Sequence, residues 1–123
     1  MLTTFTHALQ IIVALGLLNV WLLRFNRSTD YRGGEAKNLK EEFEVYGLPA
    51  WFCYFVGFLK IGSAIGLLLG FWIPALVLPS AGLVVILMIG AVLMHFKVGD
   101  PLKKTIPAIC MLLMASAISA SQL

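Results

Sequence analysis

From Pro74 to Met94 the chain carries no charged side chain. A helix needs about 20 mostly apolar residues to cross the roughly 30 Å of hydrocarbon in a bilayer, and this run supplies them. Three more runs have the same character. Thr4–Leu23 is the first, Trp51–Gly70 is broken by Lys60 alone, and Ile106–Leu123 is shorter and rich in Ala and Ser. Sixty per cent of the 123 residues are hydrophobic and 12% charged, against about 45–50% and about 25% in soluble domains. The mean hydropathy of +0.94 agrees. A single water-soluble core of this length could not bury so much apolar surface. The expected fold class is therefore all-α: a four-transmembrane-helix bundle, one domain over residues 1–123, with spans at about 4–23, 51–70, 74–94 and 106–123. Its first partner is the lipid bilayer. Met1–Thr6 lacks the basic residues of a secretory leader, and no small-x-small cleavage site precedes Arg24, so the first run is expected to stay as a span. Phe71, Trp72 and Ile73 leave only a tight turn between spans two and three, which makes those helices antiparallel neighbours.

Charge placement orients the bundle. The net charge of +3 is too small to indicate a nucleic-acid partner. Of nine Lys and Arg residues, Arg24, Arg27, Arg32, Lys37 and Lys40 separate spans one and two. Lys97, Lys103 and Lys104 separate spans three and four, and Lys60 lies within a span. The other side of the membrane has none. Basic loops stay in the cytoplasm, so both termini are expected on the non-cytoplasmic side. Trp21, Tyr46 and Trp51 suit the cytoplasmic interface and Trp72 the opposite one.

The one sizeable polar segment is Arg24–Ala50. Gly33-Gly34 marks a turn. Glu35–Tyr46 then reads as a short cytoplasmic interfacial helix, with Leu39, Phe43 and Tyr46 on one face. Lys37–Glu41 and Lys40–Glu44 are charge pairs on its other faces, and Gly47 and Pro49 end it. Such a helix either lies on the lipid surface or stands in solvent.

Few residues offer chemistry. Lys60, about 13 Å along its helix from Trp51, places a charge near mid-bilayer at a cost of roughly 2.5–3.5 kcal/mol. The spans hold no Asp or Glu to pair with it. It could snorkel, stand uncharged, or meet an anionic ligand, a lipid headgroup or a partner. His95 closes span three ahead of a turn at Asp100-Pro101, so Lys60, His95 and Asp100 are the candidate ligand or proton site. Cys53 and Cys110 fall at similar depths near the cytoplasmic end, without the spacing of a metal or redox motif, and are expected as buried small hydrophobes. No metal site is expected, and His7 belongs to the other end of the bundle. Gly62, Gly66 and Gly70 form a small-residue stripe suited to close helix packing, within the chain or in a homo-oligomer.

Four stretches resemble the DoxX-like family of small four-span membrane proteins. They are Arg24, Arg32-Gly33-Gly34 and Glu42-Phe43; Gly47-Leu48-Pro49-Ala50-Trp51; the Gly-rich run Val56–Gly70; and Gly90-Ala91 followed by His95 and Gly99-Asp100-Pro101. Relatives often carry an acidic residue near the position where this chain has Lys60, so a mechanism needing a carboxylate there does not transfer. The resemblance implies a bundle in a bacterial inner membrane and, in some relatives, thiosulfate–quinone oxidoreduction or complexes handling oxidative stress. It makes a quinone the candidate cofactor and a soluble oxidoreductase on the cytoplasmic face the candidate partner. Four function classes fit the sequence: a redox-linked, quinone-binding or oxidoreductase-docking subunit; an anchor or assembly protein without chemistry; a small carrier, which needs an oligomer; and a membrane enzyme acting on a hydrophobic molecule through Lys60 and His95. Whether the chain is an enzyme stays open at this stage.

Overall fold

The computed structural model describes residues 2–25, 33–34 and 36–123. Arg27 and Arg32 of the charge pattern, and Glu35 at the expected start of the short helix, lie outside the described residues. Helix α1, Leu2–Leu18, runs on into a π-helical turn, Asn19–Leu23. A short helix α2 covers Leu39–Val45, and α3 covers Ala50–Leu69. A single 3-10 turn, Pro74–Leu76, leads into α4, Val77–Lys97, and α5 is Leu102–Ser121. No strand occurs among the described residues. Four segments are long and apolar enough to cross a membrane: Thr3–Leu23, Ala50–Leu69, Pro74–Lys97 and Leu102–Ser121. This is a four-helix membrane bundle, and its outward side chains face lipid.

The helices form a ring. α1 packs on α3 and α5, and α4 packs on α3 and, most extensively, on α5. Val13, Leu67, Ala81, Val84, Ala115 and Ile118 fill the middle of the uncharged half. There Gln10 reaches across from α1 and donates to the Leu67 carbonyl at 3.1 Å, which satisfies a polar group that lipid would leave unpaired. The glycine stripe divides. A methyl on Gly66 would strike Ser80 and one on Gly70 would strike Val77, so these two let α3 and α4 approach closely. A methyl on Gly62 would meet nothing within 4 Å.

Local signals set the element ends. α2 starts at Leu39 instead of Glu35 because Asn38 caps it. The Asn38 side chain accepts from the Glu41 N–H at 2.8 Å, and the Glu41 carboxylate accepts from the Lys37 N–H at 2.9 Å. α2 and α4 stop by the same device. Gly47 and Gly99 adopt left-handed backbone, at φ +81° and +71°. Gly47 N–H then bonds the Glu44 carbonyl and Leu48 N–H the Phe43 carbonyl. Likewise Gly99 N–H bonds the Phe96 carbonyl and Asp100 N–H the His95 carbonyl. This double bond to the last turn, with a proline next in each case, is a Schellman stop. Pro101 also lets α5 begin at Leu102, four residues before the apolar run at Ile106.

Gly99→Ala is expected to cost about 1–2 kcal/mol, because it forces a Cβ into left-handed backbone. Gly82→Ala, inside α4 with open space around the added methyl, is expected to gain up to about 1 kcal/mol in helix propensity. Thermal unfolding in detergent micelles checks both, and shifts of the same sign would contradict this account of the two glycines.

Candidate functional site

Polar side chains gather at the end of the bundle where α2 lies. The first contributor is the π turn at the close of α1, where the Arg24 N–H reaches the Asn19 carbonyl at 2.9 Å. The wider turn takes in one extra residue and re-aims those around it. Trp21 is buried. Its ring lies flat enough on α3 that a Cβ on Gly57 would come within 2.7 Å of it. One turn further along α3, the Lys60 ammonium stands 5.2 Å from the Trp21 ring centroid, a cation–π contact.

α4 contributes the second element. Because its Schellman stop folds Asp100 back over the last turn, the Asp100 carboxylate meets the His95 ring, with Oδ2 2.7 Å from Nδ1. A carboxylate only accepts, so Nδ1 carries the proton and Nε2 faces the other way. Both side chains are buried, at 6% and 4% exposure.

α2 contributes the third. Leu39, Phe43 and Tyr46 turn inward, and Glu42 turns inward with them. The Tyr46 hydroxyl donates to Glu42 Oε1 at 2.6 Å and lies 3.5 Å from His95 Nε2, the outer limit of a hydrogen bond. The Gly33-Gly34 turn straps the two carboxylates together. Gly33 N–H donates to Glu42 Oε1 at 3.1 Å, and Gly34 N–H donates to Asp100 Oδ1 at 2.9 Å. Lys97 donates to the Tyr46 carbonyl at 2.9 Å, and Lys104 donates to the Gly34 carbonyl. The result is a continuous line of titratable groups: Asp100, His95, Tyr46, Glu42. Glu42 in turn acts electrostatically on Lys60.

Two cavities adjoin this line. One, of about 520 Å³, lies between α1, α4 and α5 and is lined by residues such as Gly16, Val20, Arg24, Lys104, Pro107 and Met111. The other, of about 280 Å³, lies under α2 between α3 and α4, among Phe43, Leu48, Phe52, Val56, Gly90 and Met94. They share one wall: Trp21, Leu39, Glu42, Lys60, Ala91 and His95.

Lys60, His95 and Asp100 are thus brought to one place, Lys60 and His95 on the shared wall and Asp100 behind His95. The spans hold no Asp or Glu for Lys60, as expected from the sequence, and the carboxylate that comes near it, Glu42, arrives from α2 outside the spans. Its signal was in the sequence: Glu42 follows Leu39 by three and precedes Tyr46 by four, which sets it on the inward face. Trp21 and Tyr46 are walls of the site and not exposed interfacial anchors, whereas Trp51 is exposed. Cys53 is buried beside Trp21 and Val56, but Cys110 is exposed on α5. Among the described residues no group of three metal-ligating side chains assembles.

A family model described as the DoxX-like family matches residues 8–118. No curated protein and no solved structure matches the chain.

The Glu42–Tyr46 contact generates a prediction. A hydrogen bond to a charged group contributes about 1.5–3 kcal/mol. A double-mutant cycle of Glu42→Gln and Tyr46→Phe, read by unfolding in micelles, is expected to give a coupling of about 1 kcal/mol or more. Simple additivity of the two changes would mean the pair is not formed.

Proposed function

The chain belongs to the DoxX-like family, and with that as premise we propose that it is a redox-linked membrane subunit that binds the head of a quinone in the larger cavity, beside Lys60. The observation that carries this reading is the buried line Asp100–His95–Tyr46–Glu42, which ends at the cavity wall. A proton line of this kind serves a reaction that consumes or releases protons at an apolar site. Reduction of a quinone to a quinol takes up two electrons and two protons, and the electrons come from a soluble oxidoreductase docked at the charged end.

The donor set fits the ligand. A quinone carbonyl is an acceptor, and Lys60 makes no hydrogen bond among the described residues, so its N–H groups are left to the cavity. A volume of about 520 Å³ falls within the roughly 300–1,000 Å³ of small-molecule sites. Lys60 holds the carbonyl oxygen and delivers a proton to it. As the neutral Lys60 amine regains a proton through Glu42, the Tyr46 hydroxyl passes its own proton to Glu42 Oε1. His95, made imidazolium by a proton entering from the charged end, returns one to Tyr46 Oη from Nε2, and each of the two protons follows this route. Asp100 keeps the imidazole oriented for that transfer. Trp21 and the apolar walls keep bulk water from the ring.

The eight basic residues on one side support a cytoplasmic position for the charged end in a bacterial inner membrane. A C-terminal alkaline phosphatase fusion, active only after export, is then expected to be active, and an inactive fusion reverses the orientation.

Quinone binding is tested with Trp21 as the only tryptophan. Trp51 and Trp72 are exposed, so both can be changed to Phe with little disturbance. In lipid nanodiscs, tetramethyl-benzoquinone is expected to quench Trp21 fluorescence saturably. Lys60→Met is expected to weaken that binding roughly tenfold, the loss of one charge-assisted hydrogen bond. Quenching that rises linearly without saturation in both proteins would exclude the quinone reading.

A further inference from the structure

The smaller cavity shares a wall with the larger one and reaches the proton line at Glu42, Tyr46 and His95, but most of its lining is apolar. We propose that it is an arm that holds the hydrocarbon chain of the ligand whose head lies beside Lys60, so that the ligand is an amphiphile with a prenyl-type tail that enters from the bilayer. This rests on the quinone-head reading above and extends it to the rest of the molecule.

Three observations carry it. First, polarity is graded along the arm. Glu42, Lys60 and His95 stand on the wall the cavities share, Tyr46 lies beside them, and the rest of the lining includes Phe43, Leu48, Phe52, Val56 and Met94. Such a lining suits one apolar chain attached to a polar head. Second, the arm's volume of about 280 Å³ falls just below the range of whole-ligand sites, so it holds part of a molecule and not a second one. Third, the arm faces lipid. Ile86 on its rim is 66% exposed, and a Cβ built on Gly90 would meet nothing within 4 Å. Towards the uncharged end α3 and α4 approach closely, where Gly66 meets Ser80 and Gly70 meets Val77, and towards the charged end the smaller cavity lies between them. The space between them therefore opens towards the charged end, beside Gly90, and a lipid-dissolved molecule can slide in head first.

Moving a chain from lipid into an apolar arm gains no hydrophobic energy, because both surroundings are apolar. The arm acts by fit, so the test is positional. The probe is a benzoquinone bearing a decyl chain with a terminal diazirine, photolysed on the protein in nanodiscs. Its adducts are expected on Phe52, Val56 or Met94, and unlabelled decyl-benzoquinone should compete them away. Adducts confined to outward residues such as Phe58 or Leu113, and not competed, would overturn the proposal. Gly90→Leu fills the arm at a position where the fold has room. It is expected to weaken decyl-benzoquinone roughly tenfold, the effect of one overpacked side chain, and to leave tetramethyl-benzoquinone unchanged. If Gly90→Leu affects both probes equally, or neither, the arm is refuted while the head site stands. If the unaltered protein binds neither probe, both readings fall.

Discussion

A carboxylate moved from water into a dry helix bundle is costly by several kcal/mol unless donors meet it, and here Glu42 and Asp100 are met by successive backbone N–H groups, those of Gly33 and Gly34. Much of the charged end follows from that arrangement. Gly33 can carry no side chain, because the Tyr46 ring lies within 2.8 Å of where its Cβ would be. Gly34 is left-handed at φ +56°, a conformation that turns its N–H towards Asp100 and its carbonyl towards Lys104 at little steric cost. The loop after α1 is thereby keyed to α2 and to the turn after α4 together. The basic residues then serve as braces. Lys97 holds the end of α2 and Lys104 holds the di-glycine turn from α5, so much of the polar segment is bonded onto the bundle.

The two ends of the molecule are held by different forces. Towards the uncharged end, close packing at Gly66 and Gly70 and one interhelical hydrogen bond from Gln10 join the helices. At the charged end polar bonds do so, around a hydrophobic cluster that includes Trp21, Phe43 and Cys53. Between these clusters lie the two cavities. The π turn of α1 matters because it sets Trp21 across that gap. Trp21 is at once a wall of both cavities and the surface beneath the Lys60 ammonium, and Gly57 supplies the space its ring occupies.

The four spans were legible because apolar length alone decides them. Pro74–Met94 or Thr4–Leu23 has few other places to go than across a bilayer. The apolar face of α2 was legible from Leu39, Phe43 and Tyr46, its stop from Gly47 and Pro49, and the turn after α4 from Asp100-Pro101. What escaped the sequence depends on contacts between distant segments. Gly33-Gly34 looks like any turn until the carboxylates of residues 42 and 100 are placed over it. Glu42 was hidden by its charge, since acidic residues of an amphipathic helix ordinarily belong to the wet face. Its inward position makes sense only once Tyr46 and Gly33 supply donors. Trp21 has the usual position of an interfacial anchor, one turn from Arg24. Only the π turn, which no residue type announces, brings it inside.

Lys60 is where these constraints meet. A mid-membrane lysine ordinarily escapes its cost of roughly 2.5–3.5 kcal/mol by stretching to the headgroups. Here its ammonium stops at the Trp21 ring, inside the bundle and within the field of Glu42. A cation–π contact offsets about 0.5–2 kcal/mol and the Glu42 carboxylate also attracts the ammonium, yet neither occupies the three N–H donors with a hydrogen bond. A lysine placed only for packing would be replaced by Leu or Met at no loss, and the same bundle would then need neither Glu42 nor the donors that Glu42 requires. The chain instead sets a half-buried cation beside a buried carboxylate, a buried tyrosine and a histidine–aspartate pair with buried side chains, with a cavity on each side of the cation. That is a costly arrangement for a scaffold, and the proposed quinone site is the reading that gives each of these groups a use.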